Sequence, residues 1–221
     1  MPLIKPGQPK KRTKRTVPRS QEIPTAAPRG DLERLFVSEV RLNILKLFLL
    51  KSAVKYHVRE ITRRVDAEIN AVRRELDNLH EIGILERTPQ KNRLVYSLRE
   101  NFPGMFELLG LLVKDAGLGK AIIQGRGLGD IKLAFISVPF LMGRQASAND
   151  IDLLIVGQVP VRKIAEIVKE EEKSREQEIN YAVLSEREFN ELKKRRDPLI
   201  LTALLQPKVI LTPNSHEYLS L

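Results

Sequence analysis

What this chain of 221 residues lacks excludes several kinds of chemistry. It has no cysteine, which excludes disulfides, thiolate nucleophiles and cysteine zinc sites together and fits a reducing compartment. Its three histidines, His57, His80 and His216, are scattered and form no metal-ligand spacing. No apolar run approaches the roughly 18 residues that span a membrane, and the first residues contain no apolar signal core. We therefore expect a cytoplasmic protein without a membrane partner.

The net charge of +10 is concentrated in the N-terminal half of the chain. Residues 1–30 hold eight Lys and Arg against one acidic residue, residues 31–100 hold fourteen against eleven, and residues 101–221 hold sixteen against sixteen. A basic excess confined to one half indicates a polyanionic partner for that half.

Residues 1–30 are rich in Pro, Lys, Arg and Thr and show no apolar period. Such a segment buries too little apolar area to offset the entropy of ordering, so we expect a disordered basic arm. Two interpretations stay open. The arm follows DNA phosphates, or it is a solubilising tail.

The spacing of apolar residues predicts three helices, at residues 32–50, 58–65 and about 67–81. Asp66 is the expected N-cap of the third helix, and Gly83 is expected to end it. A hairpin follows, with strands at 84–88 and 93–98 and the turn PQKN between them.

The stretches SEVRLNILKLFL, VREITRRV and NAVRRELDNLHEIGIL, with the hairpin after them, resemble the winged helix-turn-helix domains of the arsenic-repressor-like superfamily. The resemblance covers about residues 33–100 and implies a DNA-binding domain over 31–100. In such a domain the third helix enters the major groove of duplex DNA.

A helical wheel of the third helix places Val72, Leu76 and Leu79 on the core side. Asn70, Arg73 and Arg74 fall on the exposed side and are the candidates for reading bases, since Arg pairs with guanine and Asn with adenine. The remaining DNA-binding candidates contact the sugar-phosphate backbone or minor groove: Arg59, Arg63, Arg64, Lys91 and Arg93. The alternative is that these cations are surface residues paired with nearby carboxylates, namely Glu60, Asp66, Glu68 and Glu75.

Residues 101–130 read as a linker helix, with Phe106, Leu109 and Val113 on its buried face, and a glycine-rich turn, GRGLGD. A strand follows this turn instead of a helix, which excludes a dinucleotide-binding fingerprint. The rest of the chain alternates strands with helices and predicts a small mixed sheet. Strands are expected at 132–138, 150–157, 178–184 and 208–212, and helices at 161–173, 186–196 and 198–206.

Asp150 and Asp152 lie two residues apart in DIDLLIVG, so on a strand their carboxylates face the same way and could share a Mg²⁺ ion. Strand, loop, paired aspartates and helix resemble the minimal nucleotidyltransferase domain of the polymerase-beta-like superfamily, over about residues 131–212. On that motif Gly143 matches the later glycine, whereas Val138 and Pro139 replace the Gly-Ser that cradles triphosphate. The usual third carboxylate is also missing, because strand 178–184 offers only Glu178 at its start.

A winged helix joined to this domain is similar to a family of predicted prokaryotic transcriptional regulators. The expected fold class is α+β: a basic arm (1–30), a winged helix-turn-helix (31–100), a linker helix and turn (101–130), and a mixed-sheet nucleotidyltransferase-like domain (131–221). We expect a nucleoid-associated regulator that binds double-stranded DNA, whose degenerate second domain has lost catalysis and needs no cofactor. Alternatives are an active Mg²⁺-dependent nucleotidyltransferase and a structural subunit of a nucleic-acid assembly; a homodimer or protein partner stays open.

Overall fold

A computed structural model describes residues 36, 38–50, 55–99, 101–144, 150–213 and 215–220. The basic arm expected over 1–30, and residues 32–35 of the first expected helix, lie outside this part of the chain. The helices are α1 (Glu39–Leu49), α2 (Val58–Val65), α3 (Ile69–Ile82), α4 (Met105–Asp115), α5 (Gly117–Gln124), α6 (Val138–Leu141), α7 (Val161–Arg175), α8 (Glu186–Lys194), α9 (Pro198–Leu205) and α10 (His216–Leu219). The strands are β1 (Tyr56–His57), β2 (Leu85–Gln90), β3 (Arg93–Leu98), β4 (Asp130–Ser137), β5 (Leu153–Gln158), β6 (Tyr181–Leu184) and β7 (Lys208–Ile210).

The three helices predicted near the N-terminus are present, but the first begins at Glu39 and not at residue 32, because the Ser38 side chain caps it by accepting from the Arg41 N–H. The cap between the second and third helices is also not where we expected it. Asp66 ends α2 in the left-handed conformation, at φ 50°, and its backbone N–H donates to the Thr62 carbonyl. Glu68 is the N-cap of α3, because its carboxylate accepts from the N–H groups of Asn70 and Ala71. An acidic residue can occupy either end of this short turn, as the C-cap of α2 or as the N-cap of α3. The backbone conformation determines which residue has which role.

The predicted hairpin is confirmed with a tighter turn than PQKN. The β2–β3 pairing continues from Leu85 opposite Leu98 to Gln90 opposite Arg93, which leaves only Lys91 and Asn92 in the loop. Lys91 has a φ of 54°, as a two-residue hairpin turn requires. Pro89 is tolerated in β2 because this strand forms the edge of its sheet.

A short strand that the sequence did not predict completes this antiparallel sheet. β1 pairs with β3, Tyr56 opposite Tyr96, so the sheet order is β1-β3-β2. Two residues are too few to produce a readable alternation of apolar and polar positions. The pairing fixes the start of α2 against the hairpin.

The linker region contains a second helix, α5, besides the expected one. On α4, Leu109 and Val113 are buried as predicted, whereas Phe106 is 58% exposed and the prediction for it was wrong. Gly119 shows why α5 can fold back on α4, since a Cβ there would lie 2.2 Å from the Val113 carbonyl oxygen. Only glycine allows this close approach of the two helices.

The alternating pattern predicted a small mixed sheet in the second half of the chain, and the structure has one of four strands in the order β6-β5-β4-β7. β4 pairs antiparallel with β5 and β7, while β5 and β6 are parallel and are joined through α7. Phe135 and Leu154 pack with Phe189 and Ile200 on one face, so α8 and α9 cover that side.

The opposite face of this sheet belongs to a continuous cluster of buried apolar side chains that begins in α1. Leu42 and Leu76 near the N-terminus belong to the same cluster as Ile136 and Ile155 in the sheet. An ion pair of 2.8 Å between Lys46 on α1 and the buried Asp115 on α4 reinforces the connection.

In the second half of the chain, local sequence patterns predicted one helix cap correctly but missed two short helices. Ser185 and Glu188 form a capping box at the start of α8, as the Ser-x-x-Glu spacing of residues 185–188 predicts. Helices α6 and α10, of four residues each, were not predicted. Within the described residues, no helix combines the length and apolarity that crossing a membrane requires.

Candidate functional site

The helix α3 has one buried and one exposed face, as its sequence period predicted. Val72, Leu76 and Leu79 are buried in the core. The base-reading candidates Asn70, Arg73 and Arg74 are all exposed. The helix therefore presents two guanidinium groups and a carboxamide to solvent from its N-terminal half.

Most of the predicted DNA-binding cations are also free of carboxylate partners. Within the part of the chain that the structure describes, no ion pair involves the exposed residues Arg59, Arg63, Arg73, Arg74, Lys91 or Arg93. Free guanidinium groups are available to bind phosphate or base edges without first breaking an internal contact.

Arg64 differs from the other candidates because it is already paired. Its guanidinium lies 2.9 Å from the Glu60 carboxylate, one helical turn earlier, and 4.8 Å from the centre of the Tyr56 ring. The hydrogen bond to Glu60 raises the pKa of Arg64 above its ordinary value. Arg64 is therefore already held by contacts with α2 and β1 in the absence of a ligand.

Of the four carboxylates that could have neutralised the arginines, Glu60, Glu68 and Glu75 have other contacts, whereas Asp66 forms no ion pair with a described residue. Glu75 is buried and pairs with Arg41 at 2.8 Å. Glu68 caps α3, and the N–H groups of Asn70 and Ala71 lower its pKa. Internal ion pairing thus accounts for Arg64 among the predicted set. The other cations form no ion pair with a described carboxylate, although the charges of Arg73 and Arg74 also lower the pKa of Glu68.

A groove of about 670 Å³ lies between the start of α2 and the tip of the hairpin. Lys91 and Arg93 line it together with two residues that sequence reasoning missed, Lys55 and His57. Sequence reasoning missed Lys55 and His57 because the β1–β3 pairing, with His57 opposite Val95, brings them beside the hairpin. The groove is basic, with Glu60 as its acidic member.

The paired aspartates lie immediately before β5 and not inside it, which corrects the predicted strand start. Asp152 is 0% exposed. One of its carboxylate oxygens accepts from the Asn180 N–H at 3.0 Å, and the other from the Ser137 hydroxyl at 3.5 Å. Burial raises the pKa of this carboxyl. Asp152 is a hydrogen-bonded core residue.

Asp150 is bound by a guanidinium group. The Arg144 guanidinium lies 3.0 Å from its carboxylate and neutralises it. Asn180, and not an acid, stands beside Asp152, and Glu178 is exposed. Over the described ranges, no group of three or more His, Asp or Glu side chains could hold a metal ion. The residues do not fit a catalytic Mg²⁺ ion, which needs accessible carboxylate oxygens.

Val138 and Pro139, which the expected motif aligns with a triphosphate-binding Gly-Ser, make structural contacts instead. β4 ends at Ser137, and Val138 and Pro139 begin α6 with Val138 buried. The Val138 N–H donates to the Pro207 carbonyl at 2.9 Å. Ser137 was missed as a candidate, and its hydroxyl accepts from the Phe140 N–H at 3.2 Å. No phosphate-binding group of this segment is left without a partner among the described residues.

Comparison with known proteins gives no direct assignment. No family model matches the chain, and no curated protein matches it. The case for a function therefore rests on the charges, burial and contacts described above.

Proposed function

We propose that this protein is a prokaryotic transcriptional regulator that binds double-stranded DNA through a winged helix-turn-helix formed by α1–α3 and the β2–β3 hairpin. In this arrangement α3 enters the major groove and the hairpin is the wing. The second half of the chain is a nucleotidyltransferase-like domain that has lost catalysis and serves regulation or assembly.

The observation that carries the proposal is the set of exposed, unpaired cations on α2, α3 and the hairpin tip. Six exposed basic side chains lie together on these elements, and none forms an ion pair with a described carboxylate. The sugar-phosphate backbone of DNA supplies the missing negative charge. The zero net charge of residues 101–221 restricts this argument to the N-terminal half.

The candidates divide by position into two roles. Asn70, Arg73 and Arg74 lie in the first half of α3, the part of a recognition helix that reaches base edges. The other cations flank it and set orientation on the duplex without reading sequence: Arg59, Arg63, Lys91 and Arg93. Lys55 joins this second group through the groove at the hairpin.

The loss of catalysis is supported by three independent contacts. Asp152 is buried in the core, and Asp150 forms an ion pair with Arg144. The backbone after β4 forms α6 and hydrogen-bonds to the Pro207 carbonyl. Nucleotidyl transfer needs the first two to bind metal and the third to bind triphosphate. All three requirements conflict with the contacts present.

Selection of sequences from a random duplex pool by the full chain tests the DNA assignment. We expect an enriched motif. In a competition between that motif and random duplex, Arg73→Ala and Arg74→Ala should each cost about 1–3 kcal/mol on the motif and much less on random DNA.

A matched control removes a cation from a different surface. Arg162 is exposed on α7, and Arg162→Ala should leave motif preference unchanged. Equal losses on motif and random DNA for Arg73→Ala and Arg74→Ala would contradict base reading. Failure to enrich any motif would contradict the proposal itself.

A further inference from the structure

His57 lies in the groove at the hairpin and is not among the DNA contacts proposed above. It lines this groove together with three exposed cations, Lys55, Lys91 and Arg93. Histidine is the side chain whose charge ordinarily changes between about pH 5 and about pH 8. A ligand in the groove therefore meets a ring that can be neutral or charged.

The fold fixes the position of this ring. The β1–β3 pairing places His57 opposite Val95 of the hairpin, and the same residue is the N-cap of α2. Its side chain forms no capping hydrogen bond and is 31% exposed. The imidazole therefore lies between the start of α2 and the hairpin, half-buried and without a role in capping the helix.

The charged groups around the ring come from α2, from the start of β1 and from the hairpin. On α2, the Glu60 Oε2 atom lies 3.6 Å from the His57 Nδ1 atom. The other oxygen of Glu60 accepts two hydrogen bonds from Arg64, at 2.9 and 3.1 Å, so this carboxylate is shared. The remaining groups are positive: the N-terminal end of α2, and the side chains of Lys55, Lys91 and Arg93.

The two nitrogens of the His57 ring differ in their surroundings. Nδ1 faces Glu60, whereas among the described residues no hydrogen bond or ion pair involves Nε2. A protonated ring can donate to Glu60 with Nδ1 and to an anion in the groove with Nε2, whereas a neutral ring has only one N–H to donate. Protonation therefore adds both a donor and a positive charge.

Duplex DNA changes the balance of charge beside this ring. It carries one phosphate charge per about 1.7 Å of helix axis. A phosphate held between α2 and the hairpin lies next to the imidazole, and nearby negative charge favours the protonated form of a histidine. The charged ring also donates a stronger hydrogen bond to phosphate than a neutral ring does.

We propose that His57 is a proton-dependent phosphate ligand, which takes up a proton when the groove receives the sugar-phosphate backbone of DNA. A group that gains a proton on binding makes the affinity rise as the pH falls, because proton and DNA change each other's affinity by the same factor. The chain then binds duplex more tightly at about pH 6 than at about pH 8. This inference rests on the proposed function, since the anion is a DNA phosphate.

Fluorescence anisotropy of the full chain with random-sequence duplex, at one ionic strength, tests the proposal. The affinity of the wild-type chain should rise about tenfold from about pH 8 to about pH 6, the contribution of one hydrogen bond to a charged group. His57→Gln keeps a polar side chain but gains no proton, so it should lose most of this rise and fall furthest below wild type at the lower pH. His57→Lys is charged throughout this range and should bind tightly at both ends of it. A purely structural role predicts instead the same loss at every pH in both variants.

His216→Gln is the matched control, because His216 is exposed on α10 in the second half of the chain. It should keep the pH dependence of the wild-type chain. A wild-type affinity that does not change with pH, a rise preserved in His57→Gln, or a rise lost equally in His216→Gln would overturn the inference and leave duplex binding itself intact. No duplex binding at any pH would overturn the proposed function and the inference together.

Discussion

Removing the two cations at the hairpin tip should reduce the salt dependence of duplex binding by a calculable amount. Lys91 and Arg93 are exposed, line the groove beside α2 and have no ion-pair partner among the described residues. Each cation that neutralises a phosphate contributes about −0.9 to the slope of log K against log salt. The double variant Lys91→Gln/Arg93→Gln should therefore have a slope smaller in magnitude by about 1.8.

The size of this effect is well within reach of a fluorescence anisotropy titration. A rise from about 50 to about 200 mM salt is roughly 0.6 of a logarithmic unit, so the wild-type chain should lose about tenfold more affinity than the variant over that range. Comparison of slopes within the full chain cancels the contribution of the basic residues 1–30, which both proteins contain.

The control is a second loss of two positive charges elsewhere. Arg162 and Lys169 are exposed on α7, and Arg162→Gln/Lys169→Gln lowers the net charge by the same amount. If phosphate contact at the hairpin is the cause, this control keeps the wild-type slope. Identical slopes for all three proteins, or the same reduction in both variants, would refute the reasoning.

Three further outcomes are expected. Burial raises the pKa of Asp152, so the stabilising contribution of this carboxyl group is complete below the ordinary carboxyl pKa and is lost as pH rises through the raised value. In urea unfolding, Asp152→Asn should therefore gain stability relative to wild type between about pH 4 and about pH 7. A stability difference between the two proteins that stays constant with pH would disprove this expectation. Lys46→Met leaves the buried Asp115 unpaired and should lower the free energy of unfolding in urea by about 2–3 kcal/mol. Adding Asp115→Leu should recover most of this loss. An unchanged free energy of unfolding in Lys46→Met would show the ion pair to be dispensable. Calorimetric titration with ATP and Mg²⁺ should show no saturable binding at the paired aspartates, whereas binding abolished by Asp150→Asn would refute the loss of catalysis.

The sequence determined the elements whose signals are local. α2 was predicted to the residue, and the buried side of α3, the end of α3 at Gly83 and the capping box of α8 all followed from neighbours within a few positions. Helical period and capping depend on side chains three or four residues apart, so one sequence contains all the information they need. The exposed position of Asn70, Arg73 and Arg74 follows from the same period.

Tertiary structure alone decided what each polar group is paired with. Asp152 and Asn180 are distant in sequence and meet through the β5–β6 pairing. The burial of Asp152 and the β1–β3 strand pair likewise depend on contacts between separate elements. Sequence reasoning identified Asp150 and Asp152 as a pair, but whether their oxygens face solvent or the core depends on packing across the sheet. Burial and long-range pairing are properties of the folded chain, because the groups that remove a carboxylate from water come from many points along it.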